Sequence, residues 1–148
     1  MFPKLNLPSR EFRIDTSSDK PFIWDDIRKK MVALTPEEWV RQHIVSMLIH
    51  ELGYSKSLLK VESGLNYWKK KKRSDITAYD KKAHPYLLIE CKSWDQKINK
   101  TTLNQIATYN KSIRAPFIAV SNGMQHFCWQ KKESQYDSLN TFPASPTL

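Results

Sequence analysis

The chain has 148 residues, with 24 Lys+Arg against 15 Asp+Glu for a formal net charge of +9, and 40% of its residues are hydrophobic. That length suits one domain with a sizeable core, and the composition is that of a globular chain, not a disordered one. Its three glycines, Gly53, Gly64 and Gly123, exclude a Walker phosphate loop, a Rossmann fingerprint and a Gly-x-Ser-x-Gly nucleophile elbow.

Residues 1–34 read as an arm. Phe12-Arg-Ile14 and Phe22-Ile-Trp24 are short β-prone runs around Thr16-Ser-Ser-Asp19, which predicts a hairpin. Asp25 to Lys30 then leads into a helix start. Thr35 caps that helix, Pro36 takes its first position and Glu38 completes a capping box. The helix runs to about Leu52, with Gly53 placed to end it. Val40, Ile44, Val45, Met47, Leu48, Ile49 and Leu52 cover an arc of roughly 200° on a helical projection, so the helix is deeply buried. Glu38 and Arg41 fall within or beside that arc. They read either as a capping carboxylate and a snorkelling arginine or as groups facing a polar site cut into the core.

Leu58 to Glu62 reads as a strand, Ser63 to Asn66 as a turn, and Asp75 to Tyr79 as a second strand. After the turn Asp80–His84, the run Pro85 to Cys91 is nearly all apolar, as a central strand covered on both faces would be. Thr101 to about Ile113 is predicted helical, Pro116 to Ser121 a strand, Asn122-Gly123 a turn and Gln125 to Trp129 a strand. Residues 133–148 are polar and read as a loosely held tail after a core at 35–132. The order predicts the α/β class: a mixed β-sheet flanked by helices, with core order αβββαβ and an N-terminal β-hairpin arm.

No apolar run reaches the ~18–20 residues of a membrane span, and the segment MFPKLNLPSR lacks the apolar stretch of a signal peptide. Cys91 and Cys128 fall in apolar strands and read as reduced core residues. Together these give the expectation of a cytoplasmic protein without a membrane partner. The charge surplus favours a polyanion, because each Lys or Arg that neutralises a phosphate releases a counterion. Its densest cluster is Lys69, Lys70, Lys71, Lys72 and Arg73, read as a DNA-backbone contact in preference to a solvated hairpin tip. Tyr67 and Trp68 stand beside it, for base stacking or for core packing.

The chemistry sits at Glu90-Cys91-Lys92. Side chains alternate in a strand, so Glu90 and Lys92 share a face. If the flanking strands form a hairpin, Asp75 lies opposite Glu90 within a residue or two. Two facing carboxylates repel unless a cation sits between them, and hard oxygen donors of this kind suit Mg²⁺. Glu62, on the preceding strand, is available as a further ligand. The alternative is a cross-strand salt bridge of Asp75 or Glu90 with Lys92 at a sheet edge.

Asp75 followed by Glu90-x-Lys92 resembles the motif of the PD-(D/E)xK nuclease superfamily. Leu34-Thr-Pro-Glu-Glu-Trp-Val-Arg-Gln42, Lys72-Arg-Ser-Asp-Ile76, Leu88-Ile-Glu-Cys-Lys92, Gln105-Ile-Ala-Thr-Tyr109 and Ala115 to Gly123 resemble the N-terminal nuclease domain of type I restriction enzyme R subunits. The resemblance implies a Mg²⁺-dependent DNA endonuclease, with Mn²⁺ as a substitute. It makes Asp75, Glu90 and the Cys91 backbone carbonyl metal ligands, Lys92 the catalytic lysine and Glu62 the extra acid. Gln105 and Tyr109, one helical turn apart, would support the site or touch the DNA backbone. Ser74 stands where the superfamily has its proline. R subunits of that kind continue into an ATP-driven motor, for which this sequence has no phosphate loop. A motor, methyltransferase or specificity subunit would then come from another chain, or the protein works alone. Two alternatives stand beside this reading: a non-catalytic or partner-activated DNA-binding module on the same fold, and a structure-specific enzyme resembling Holliday-junction resolvases.

Overall fold

The computed structural model describes residues 2–62 and 75–146. The arm folds as a small antiparallel sheet of β1 (Ile14–Asp15), β2 (Phe22–Asp25) and β3 (Lys30–Ala33). The expected hairpin is present, with Ile14 opposite Ile23 and Asp15 opposite Phe22. The third strand is an addition, since residues 25–30 read as a lead-in to the helix. Asp25 builds the turn: its Oδ1 accepts the backbone N–H groups of Ile27 at 2.8 Å and Arg28 at 2.9 Å. Lys29 then takes a φ of 56° to close it. A side-chain-directed turn of this kind leaves no hydrophobic period to read.

Helix α1 (Pro36–His50) starts where its cap predicts, and the Thr35 hydroxyl accepts the Glu38 N–H at 3.1 Å. The capping box closes only halfway. The Thr35 N–H donates to the Ala33 carbonyl at 3.1 Å, because the Glu38 carboxylate is committed elsewhere. Gly53, at φ 76°, turns the chain away after the helix.

The main sheet has six strands in spatial order: β4 (Leu59–Val61), β5 (Ile76–Tyr79), β6 (Pro85–Cys91), β7 (Phe117–Ser121), β8 (His126–Lys132) and β9 (Gln135–Leu139). Helix α2 (Lys100–Ile113) forms the crossover between β6 and β7, the one parallel pair among them. The order α1-β4-β5-β6-α2-β7 is that expected for a restriction-endonuclease-like α/β fold. One face of the sheet, with Val61, Ile76, Ile89 and Ala119, packs with Val40, Ile44 and Leu48 of α1. The other, with Leu88, Ile118 and Val120, packs with Ile106 of α2. Both cysteines are buried and unpaired. Among the described residues no helix is long and apolar enough to cross a membrane.

The expectation of a loose tail is corrected. Residues 135–139 form β9 along β8, and Phe142 is buried in the main core. Tyr54 Oη donates to the Pro143 carbonyl at 2.6 Å, Tyr86 Oη to the Ala144 carbonyl at 3.0 Å, and the Ser145 N–H to the Leu52 carbonyl at 3.2 Å. An edge strand buries little, so its sequence stays polar and resembles a tail.

Candidate active site

The register of the sheet assembles the acidic residues. Val61 pairs with Ile76 and Ile76 with Ile89, giving one apolar row across three strands. One step further along lie Glu62, Asp75 and Glu90. The Glu62 N–H donates to the Asp75 carbonyl at 2.9 Å, carrying the pairing one residue beyond β5. Three acidic residues thus come from three adjacent chains spaced roughly 4.8 Å apart. The hairpin reading, Asp75 opposite Glu90, agrees with this register.

Lys92 follows Glu90 by two residues, and its Nζ lies 3.7 Å from Glu90 Oε2. Its backbone N–H donates to the Ser121 carbonyl at 2.8 Å, which ties the end of β6 to β7. Asp75 is buried and doubly held. Its Oδ2 accepts the Cys91 N–H at 2.7 Å, and its Oδ1 accepts Arg41 Nη2 at 2.9 Å. The first contact ties the carboxylate to the strand that carries Glu90.

Arg41 settles one open point. It is 3% exposed and reaches Asp75 from α1, so the polar-site reading holds for it. Its Nη1 donates to Glu38 Oε1 at 2.6 Å and its Nη2 also to Glu37 Oε1 at 2.9 Å. Burial alone would lower the affinity of Arg41 for its proton, but the Asp75 and Glu38 carboxylates outweigh it and hold the guanidinium charged. Glu38 Oε2 in turn accepts Arg28 Nη2 at 2.8 Å and Gln42 Nε2 at 2.9 Å.

Glu37, Gln42 and Arg28 are participants that sequence reading passed over. Glu37 and Arg41 stand four apart on a helix, the spacing of a side-chain pair, which is the signal that was available. Burial, then the nearby Asp75 charge, raises the Glu37 carboxyl above its usual range, with Arg41 and Lys92 opposing. Burial, followed by Asp75, pushes the Cys91 thiol well up, so this sulfur is neutral; Glu90 and Glu37 add to that push. Asp75, Glu90, Glu37, Arg41 and Lys92 therefore share one electrostatic neighbourhood.

Gln105 and Tyr109 are half-buried on α2. Tyr109 packs on the second core with Leu88, the residue two before Glu90 and so on its face of β6. Lys69, Lys70, Lys71, Lys72 and Arg73, with Tyr67 and Trp68, lie outside the described residues.

The donor set fits a hard divalent cation. Among the described residues no group of three or more His, Cys, Asp or Glu is gathered closely enough to hold a metal. Mg²⁺ needs fewer, because it takes one or two carboxylates and keeps several waters. An ionised carboxylate offers about four acceptor sites. Among the described residues, the two contacts of Asp75 fall on different oxygens, which leaves acceptor capacity on each. With its thiol neutral, Cys91 has no thiolate to offer a cation.

The model of the type I restriction enzyme R protein N terminus matches residues 36–143. No curated protein matches the chain.

Proposed function

Because the chain belongs to the family of the type I restriction enzyme R protein N terminus, we propose that it is a DNA endonuclease module that hydrolyses phosphodiester bonds with a divalent cation. Asp75 and Glu90 would hold that cation, with the Cys91 carbonyl and Glu62 as further oxygen donors. When bound, Mg²⁺ or Mn²⁺ supplies polarisation of the scissile phosphate and acidification of the attacking water. The observation that carries the reading is the row Glu62, Asp75, Glu90 on adjacent chains, with Lys92 beside Glu90 at 3.7 Å.

The protein's own groups then have separate tasks. Asp75 is oriented by the protein's own groups, by Arg41 on one oxygen and the Cys91 N–H on the other. Fixed orientation of this kind lowers the reorganisation needed during reaction. The Lys92 ammonium would steady charge on the phosphoryl oxygens or hold the attacking water. Gln105 and Tyr109 would support the DNA backbone from α2. The run Lys69 to Arg73 precedes Asp75 directly in the chain and would follow the phosphates there. A motor, methyltransferase or specificity subunit belongs to this proposal as a partner.

The test is cleavage of supercoiled, linear and branched DNA with Mg²⁺ or Mn²⁺. Asp75→Asn, Glu90→Gln and Lys92→Met should each lower the rate by about 10² or more while retaining DNA binding. A wild-type chain that cuts none of the three substrates leaves a binding module that needs a partner. Selective cutting of the branched substrate by a dimer would favour the junction enzyme. Lys70→Glu with Lys71→Glu should weaken binding and flatten its salt dependence by about 0.9 per lost phosphate contact.

A further inference from the structure

A chain of buried charges runs from the arm into the site. Asp25, 1% exposed, holds Arg28 through the Arg28 N–H at 2.9 Å and through a direct Nε to Oδ2 ion pair. Arg28 Nη2 reaches Glu38 Oε2 at 2.8 Å, Glu38 Oε1 takes Arg41 Nη1 at 2.6 Å, and Arg41 Nη2 ends on Asp75 at 2.9 Å. The members come from the arm turn, from α1 and from the end of β5. Among the described residues Arg41 Nε is buried with no hydrogen-bond partner, so the guanidinium is placed by its carboxylates at the expense of one donor.

Stability does not explain such an arrangement. Charges taken out of water cost several kcal/mol each, and well-packed apolar side chains often serve as well. What the chain of ion pairs does accomplish is geometric: it transmits the position of the arm turn to one carboxylate oxygen.

We propose that Arg28, Glu38 and Arg41 are a positioning relay through which the docked arm sets the Asp75 carboxylate for its cation. This rests on the reading of Asp75 as a cation ligand. Arg28 pairs with Asp25 and Glu38 and acts on Asp75 only through Glu38 and Arg41. It fixes Glu38, which would otherwise turn towards Arg41 and draw the guanidinium off Asp75. The arm is thereby a working part of the site, and an event that lifts the 25–30 turn lowers cation affinity at a distance.

The experiment measures Mn²⁺ binding by calorimetry on the full chain without DNA, for wild type, Arg28→Gln, Arg28→Lys and Asp75→Asn, with circular dichroism as the check on folding. Arg28→Gln should weaken Mn²⁺ binding about tenfold, the low end for residues that orient a metal ligand through others. The sign is diagnostic, because removing a positive charge near a cation site by itself strengthens binding. Arg28→Lys keeps the charge but not the planar fork that spans Asp25 and Glu38. It should restore part of the loss, with roughly threefold weaker binding than wild type. It also carries the test if Arg28→Gln does not fold. In DNA cleavage the loss should appear in kcat with KM for DNA unchanged. Wild-type affinity in a folded Arg28 variant, with binding lost in Asp75→Asn, overturns the relay alone. Equal binding, or none, in wild type and Asp75→Asn overturns the cation reading and the relay with it.

Discussion

The two helices bury polar side chains in opposite ways. On α2, Asn110 is fully buried, and two of its three contacts close on the turn that ends its own helix, the third reaching Tyr136 of β9. Its Nδ2 donates to the Ala115 carbonyl at 2.9 Å and to Tyr136 Oη at 3.0 Å, and its Oδ1 accepts the Ala115 N–H at 2.8 Å. These bonds fasten the turn in which Arg114 takes a φ of 63° and the chain enters β7. On α1, Arg41 is equally hidden but reaches across to Asp75, and its Nε has no partner among the described residues. A polar group satisfied by its own turn fixes the fold. One that spans elements and leaves a donor unmet holds another residue in place.

Arg41→Met is the strongest way to break that contrast. It leaves Asp75 buried without its cationic partner and Glu38 with Arg28 alone, so unfolding free energy in urea should fall by about 3–5 kcal/mol, and Mn²⁺ binding should fall with it. Asn110→Ala orphans the Ala115 N–H and carbonyl, at roughly 1–3 kcal/mol each less whatever water recovers, for a net loss of about 2–4 kcal/mol. Its Mn²⁺ affinity should match that of wild type below the melting transition. A matching loss of Mn²⁺ affinity in Asn110→Ala would dissolve the distinction. Glu37→Gln sharpens it. This carboxylate pairs with Arg41 at 2.9 Å but its side chain is 44% exposed. Solvent screening and the nearby Asp75 charge offset the pairing, so stability should change by less than ~1 kcal/mol by the same measurement.

The sequence showed where elements lie better than what their polar residues do. Thr35-Pro36 located the start of α1, and the apolar run 85–91 located the central strand, because capping and two-sided burial each leave a local pattern. The pairing of Asp75 with Glu90 was also legible, since the hairpin turn at 80–84 sets the register of both strands. The third strand of the arm and β9 were not. One is made by an Asx turn and the other is a polar edge, and neither has a hydrophobic period. The role of Glu38 was misread in part, because a capping box and a buried ion-pair junction use the same residue at the same position. Only the arrival of Arg28 from the arm, a tertiary event, decides between them. Arg28 was missed for the same reason, since its partner Glu38 is brought to it by packing, whereas Glu37 carried a spacing signal, four residues from Arg41, that was passed over.

The smallest effect tests whether local closure, and not membership of a helix, is the deciding property. His43 lies on α1 beside Gln42, yet its Nδ1–H donates to the Trp39 carbonyl of its own helix at 2.8 Å. Its ring sits 4.8 Å from the Phe12 ring and 4.4 Å from the Trp39 ring. By the rule above it belongs with Asn110 and not with Arg41. Burial pushes its pKa below the ordinary 6.5, with the Trp39 carbonyl opposing. The unfolded chain therefore takes up a proton before the folded one does as pH falls. Stability should rise with pH across the window below 6.5 and be lost as pH drops through it towards the folded value. His126, also lowered by burial, adds a slope of the same sign. Melting temperatures of wild type and His43→Phe, compared between about pH 7.5 and pH 5.5, should show a shallower fall in the variant, which keeps the ring contacts and removes the titration. Mn²⁺ affinity at the higher pH should be the same in both. A change there would place His43 with the residues that reach the site and would make the helix, not the closure of each bond, the unit that matters.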